Sequence, residues 1–128
     1  MEKKFFSERV ISFSRDVILI CQELDYIKKQ VISRQLIRAA TSIGAACAEA
    51  SQAESADDFI HKMKIASKEA SETKYWLNVI DHMLKIRDPV KEELDSIQRL
   101  LTSSIATALK NKKAKASLNT QKKDNSVD

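Results

Sequence analysis

The residues nearest to an acid–base arrangement are Glu69 and Glu72, one helical turn apart, with Glu49 some twenty residues earlier. A carboxylate pair does proton-transfer work when a pocket raises the pKa of one member. The same spacing also suits charges matched by Arg38, Lys68 or a neighbouring subunit, and that is the reading adopted. A di-iron centre would need carboxylates from four helices and Glu-x-x-His on two of them. His61 has Asp58 at the required offset, but His82 has Val79 there, so both histidines are expected at the surface or its boundary. Cys21 and Cys47 lie on apolar helical faces without CxxC spacing, which fits free buried thiols in a reducing cytoplasm better than a disulfide. There is no nucleophile elbow, phosphate loop or Cys–His arrangement. No catalytic, cofactor-binding or metal-ligating residue is assigned, no small-molecule substrate is expected, and an enzyme is not.

The elements that must position these residues are helices. One glycine and one proline in 128 residues leave too few turn formers for a sheet protein, while 43% apolar and 31% charged residues suit helices around one core. Four segments repeat apolar residues at steps of mostly four and three, which keeps one face of a helix inward. They run Phe6, Val10, Phe13, Val17, Ile20, Leu24; then Leu36, Ala40, Ile43, Cys47, Ala50; then Phe59, Met63, Ala66, Ala70, Thr73, Leu77, Ile80, Leu84; and last Val90, Leu94, Ile97, Leu101, Ile105, Ala108. Sustained heptad-like spacing with short connections predicts an all-α, antiparallel, up-down-up-down four-helix bundle. The third helix is expected to span about 30 residues, or roughly 45 Å, and to protrude past its partners. Val17 to Cys21 is the longest apolar run of the first helix, well short of a membrane span.

Helix starts are marked by chemistry. Ser55 with Asp58 three residues on reads as a variant capping box. Asp88 before Pro89 reads as a cap followed by a proline that loses no hydrogen bond. Residues 25–33 lose the apolar pattern, and Ser33 is expected to cap the second helix. The bundle is assigned to residues 1–110 and a basic, disordered tail to residues 111–128, too polar to offset its ordering entropy. Lys110, Lys112, Lys113, Lys115, Lys122 and Lys123, less Asp124 and Asp128, supply the whole +4 net charge; the other 109 residues carry sixteen groups of each sign. The excess that could attract phosphates therefore sits on the tail.

Two helices offer more surface than a lone bundle needs. Ala39 to Ala48 is an almost unbroken run of small side chains that includes Gly44, which costs roughly 1 kcal/mol against alanine inside a helix. Small residues on several sides let backbones approach closely, either within the chain or across a subunit boundary. The third helix carries a second stripe beside its core face: Ile65, Glu69, Glu72, Trp76, Val79, Met83. Aromatic residues beside paired charges suit an interface.

From Ser33 to Leu77 the chain carries Gln35-Leu36-x-Arg38, Thr41-Ser42-Ile43-Gly44-Ala45, Glu49-Ala50, Ala53-Glu54-Ser55, Asp58-Phe59-Ile60-His61-Lys62, Ile65-Ala66, Lys68-Glu69-Ala70 and Glu72-Thr73-x-Tyr75-Trp76-Leu77. This stretch resembles the four-helix-bundle family of 23S rRNA-intervening sequence proteins. The family motif usually has asparagine after Ile-Gly-Ala where this chain has Ala46, so an interhelical hydrogen bond from that asparagine is not expected here. The resemblance implies a homopentameric, barrel-like ring. The family is similar to the accessory variability protein of diversity-generating retroelements, which partners a reverse transcriptase and binds nucleic acid.

The expected function is a cytoplasmic, homo-oligomeric interaction or scaffold module whose principal partner is itself. Gln35, Arg38, Ser42, Gly44, Ala45, Glu49, Glu69, Glu72 and Trp76 are the expected interface or motif residues. The alternative is a nucleic-acid or ribonucleoprotein accessory that uses the six tail lysines. No membrane partner is expected.

Overall fold

The computed structural model describes the backbone from Lys3 to Ser126 and the side chains of residues 6–125. Four helices follow in order: α1 (Lys3–Tyr26), α2 (Gln30–Ala50), α3 (Ala56–Ile80) and α4 (Asp88–Ser126). Paired residues fix their directions. Cys21 meets Ser33 and Val10 meets Gly44, so α1 and α2 are antiparallel. Glu49 pairs with Lys62 and Arg38 with Glu72, so α2 and α3 are antiparallel. Asp81 pairs with Lys91 and Asp57 with Lys112, which reverses α4 on α3. Helix α4 then touches α1, the thinnest of the four contacts, and closes an up-down-up-down four-helix bundle.

The four apolar stripes make the core. Val10, Phe13, Val17 and Leu24 of α1, Leu36, Ala40 and Ile43 of α2, Ala66, Ala70, Leu77 and Ile80 of α3, and Leu94, Ile97 and Leu101 of α4 are all buried. Ala46, at the departure from the family motif, is buried among them. An apolar side chain there needs no partner, whereas a buried polar one would. Thr73, one of two buried polar residues among those described, donates its hydroxyl to the Glu69 carbonyl one turn back at 2.7 Å.

Four boundaries differ from the sequence expectation. Helix α2 begins at Gln30, because Lys28 takes a positive φ of 63° and reverses the chain within a few residues. Ser33 consequently lies inside α2 rather than at its cap. Its buried hydroxyl donates to the Cys21 carbonyl at 3.3 Å while the Cys21 thiol donates to the Ser33 carbonyl at 3.5 Å, stapling α1 to α2. Helix α3 ends at Ile80 after 25 residues, since Asp81 accepts the Ile86 amide at 2.9 Å and Lys91 at 2.5 Å and so folds residues 81–87 into a corner. That corner buries Ile86, which the stripes do not include. Helix α4 opens at Asp88 itself and, at 39 residues, is the element that outruns the others. Where fraying and disorder are expected after Lys110, the helix runs on to Ser126 with every described side chain from Leu109 onward exposed.

The start of α3 agrees with the sequence. Ser55 sits in extended backbone and its Oγ accepts the Asp58 amide at 3.0 Å, while the Asp58 carboxylate accepts the Glu54 amide at 3.3 Å. One amide that the helix start leaves unpaired, that of Asp58, and one just ahead of the cap, that of Glu54, are thereby satisfied. At the other seam, Arg9 of α1 donates to both carboxylate oxygens of Glu93 at 2.8 and 3.0 Å and to Ser96 Oγ at 2.6 Å, a forked clamp on α4.

Candidate interaction surface

Helical spacing brings most of the expected interface residues onto one flank. Gln35, Arg38, Ser42, Ala45 and Glu49 follow each other along α2 at steps of three and four, on the side of the helix next to α3. Ile65, Glu69, Glu72 and Trp76 do the same along α3, beside its buried stripe. The two lines meet in cross-helix ion pairs: Glu49 with Lys62 at 3.0 Å and Arg38 with Glu72 at 4.0 Å. Arg38 also donates to Gln35 Oε1 at 3.0 Å, and Ser42 turns its hydroxyl onto the Arg38 carbonyl at 2.6 Å. Gln35, Ser42, Glu69, Glu72 and Trp76 are half-buried, and Arg38, Ala45 and Glu49 are exposed.

Gly44 stands apart from this group. A Cβ built on it would lie 3.2 Å from Val10 Cγ1, so its missing side chain faces α1 and serves a close approach inside the chain. The glycine's helix cost is offset there by a tighter α1–α2 contact.

Glu69 and Glu72 interact electrostatically. Burial, then the Glu72 charge and a hydrogen bond shared with it, push the Glu69 carboxyl above its ordinary value, against the pull of Arg38 and Lys68. An open groove on α3 lies between it and α4, lined by Lys74, Asp95, Gln98 and Arg99 and not by Glu69. Trp76 meets Tyr75 edge to face, ring centres 5.1 Å apart, and its Nε1–H is buried without an acceptor. An orphaned buried donor costs about 1–3 kcal/mol, so the indole is held at this surface against a penalty that phenylalanine would avoid.

The remaining chemistry-bearing residues are dispersed. His61 and His82 are exposed, and among the described residues no three His, Cys, Asp or Glu side chains stand together as a metal site would require. Both cysteines are free thiols. Burial pushes Cys21 up and Cys47 up to about 11, so neither carries appreciable nucleophilic thiolate near neutrality. Among the described residues no helix is long and apolar enough to cross a membrane.

The six lysines from Lys110 to Lys123 line the far half of α4, all exposed, with Lys112 paired to Asp57 at the start of α3. Sequence reasoning missed Lys62 as a member of the flank. Its signal is present, since it lies one turn before Ile65 on the second stripe of α3.

The model of the 23S rRNA-intervening sequence proteins matches residues 5–106, most of the bundle. The chain belongs to that family. The lysine-bearing half of α4 lies beyond the matched region. A crystal structure of a protein of unknown function from the S23 ribosomal protein family of Bacteroides thetaiotaomicron is similar, at 34% identity and a TM-score of 0.77, over 83% of this chain and 99% of that one. No curated protein matches the chain. Family and solved relative thus agree on the bundle, and neither is described by a reaction.

Proposed function

We propose that this family member is a non-catalytic, homo-oligomeric module of the cytoplasm, five copies in a ring by resemblance to its family, and that the α2–α3 flank is a subunit contact. The observation that carries this reading is Trp76. A half-buried indole with an orphaned N–H packs on the edge of the core one turn from Glu72, on the flank that also carries Glu69 and Arg38. Large aromatics among desolvated charges carry a disproportionate share of the energy in protein contacts. Light scattering of the purified chain tests it. A mass near five times 14.5 kDa supports the ring, and 14.5 kDa at micromolar concentration ends it.

A second reading has its own observation. Six exposed lysines on the part of α4 that outruns the bundle suit phosphate contacts by a nucleic-acid or ribonucleoprotein accessory. Five copies in a ring would multiply that charge. Mobility shifts with the full chain and with one lacking residues 110–128 discriminate: equal affinity removes the lysines from consideration. A retroelement partner is a narrower form of this second reading and stands or falls with it.

A further inference from the structure

Two cations of the α2–α3 flank are already engaged, while Lys68 acts on Glu69 without an ion pair among the described residues. Arg38 is held by Gln35 and Glu72, and Lys62 by Glu49. Glu69 forms none of the ion pairs among the described residues, although Glu72 stands beside it. A closed ring needs two different surfaces on each copy, because a patch that pairs with itself stops at a dimer. The flank therefore requires a counterpart elsewhere on the chain, apolar and carrying a cation that is not already engaged.

Helix α1 carries such a surface on the side away from its core stripe. Ile11, Arg15, Ile18 and Gln22 follow at steps of four, three and four, with Leu19 beside them. Ile11, Ile18 and Leu19 are 49%, 38% and 58% exposed, an apolar line that the folded chain leaves in water. Arg15, exposed at its centre, is the only charge of the stripe and is absent from the ion pairs among the described residues. A guanidinium presents a planar fork of donors that matches carboxylate geometry, and apolar neighbours that exclude water strengthen the pairing. Helix α1 packs on α2, which carries one line of the flank, and α2 packs on α3, which carries the other. The stripe and the flank are thus two different surfaces of one copy, as a head-to-tail contact requires.

We propose that the Ile11–Arg15–Ile18–Gln22 stripe of one copy covers the α2–α3 flank of the next copy, head to tail, with Arg15 reaching the Glu69–Glu72 pair. This rests on the self-association reading and supplies its two halves.

Light scattering over a concentration series tests the pairing by charge exchange, with circular dichroism reporting that each variant folds. Arg15→Glu alone, and Glu69→Arg with Glu72→Arg, should each shift dissociation to at least about tenfold higher concentration. The chain carrying all three changes should recover assembly, because the charges meet again with signs exchanged. If the double arginine variant does not fold, Glu69→Gln with Glu72→Gln takes its place, and undiminished assembly without those charges overturns the pairing. A wild-type chain that is monomeric sinks the self-association reading itself. A wild-type oligomer whose Arg15→Glu variant is equally stable, or whose triple variant is not restored, leaves that reading standing and overturns the stripe-to-flank contact.

Discussion

The two halves of α4 share one backbone conformation and differ in everything that stabilises it. From Val90 to Leu101 the helix buries Val90, Leu94, Ile97 and Leu101 in the common core and receives the Arg9 clamp on Glu93 and Ser96. From Leu109 onward every described side chain is exposed, and Lys112 ties this half to the bundle through Asp57. An exposed ion pair contributes roughly 0–1 kcal/mol, so the far half depends on propensity alone, which is marginal for a short isolated helix in water. The comparison separates two kinds of surplus surface. The α2–α3 flank is part of a packed face, with Arg38, Glu72, Lys62 and Glu49 paired and Trp76 half-covered, whereas the far half of α4 is polar, lysine-rich and exposed throughout its described side chains.

The largest effect expected from this contrast is a pair of matched truncations. Leu101→Ala, in the near half, should lose about 2–5 kcal/mol of unfolding free energy. Leu118→Ala, 58% exposed in the far half, should stay within about 0.5 kcal/mol of the parent. Denaturant melts measure both, and comparable losses would mean that the far half packs on something.

A second pair sharpens the distinction within α2. Gly44→Val pushes a branched side chain toward Val10, already 3.2 Å from a bare Cβ, and should cost about 1–3 kcal/mol in chemical denaturation. Ala45→Val, on the exposed neighbour, should change protomer stability by less than about 0.5 kcal/mol while altering the oligomer mass profile. Swapped outcomes would reverse the assignment of Gly44 to the chain's interior and Ala45 to its outer flank.

The smallest effect is one of pH at the α3–α4 corner. Lys91, then the Ile86 amide, holds the Asp81 carboxyl below its ordinary value of 3.8. A lowered folded pKa contributes stability that is present above the unfolded value and is lost as pH falls through the folded one. Asp81→Asn should therefore flatten the acid side of the stability curve below about pH 4 and lower the melting temperature at neutral pH. An unchanged acid limb would mean that the corner does not depend on this charge.

How far the sequence disclosed this follows from where information is local. The bundle was legible because the core positions Val10 to Leu24, Leu36 to Ala50, Met63 to Ile80 and Val90 to Leu101 repeat with the helical period, and periodicity survives without knowledge of neighbours. The α3 start was legible because Ser55 and Asp58 act on amides within four residues of themselves. Ser33 was misread because its role depends on Cys21 across a helix seam, and the α3 end because Asp81 chooses partners five and ten residues ahead that no helical pattern announces. Gly44 could be singled out as costly, but only coordinates say that its open side meets Val10 rather than another chain. On α3 the second stripe was visible as Ile65, Glu69, Glu72 and Trp76. The pairing of Lys62 with Glu49 and of Glu72 with Arg38 required knowing which sides of α2 and α3 adjoin.

Trp76 is the chain's single tryptophan, so its fluorescence reports on the flank alone. Emission and iodide quenching should be followed from micromolar concentration down through the dilution at which the mass falls. Emission should be blue-shifted and protected in the assembly and should shift red with greater quenching as copies separate, both with the same midpoint as the mass. A mass that falls while Trp76 emission and quenching stay constant would place the subunit contact elsewhere on the bundle and contradict the central claim.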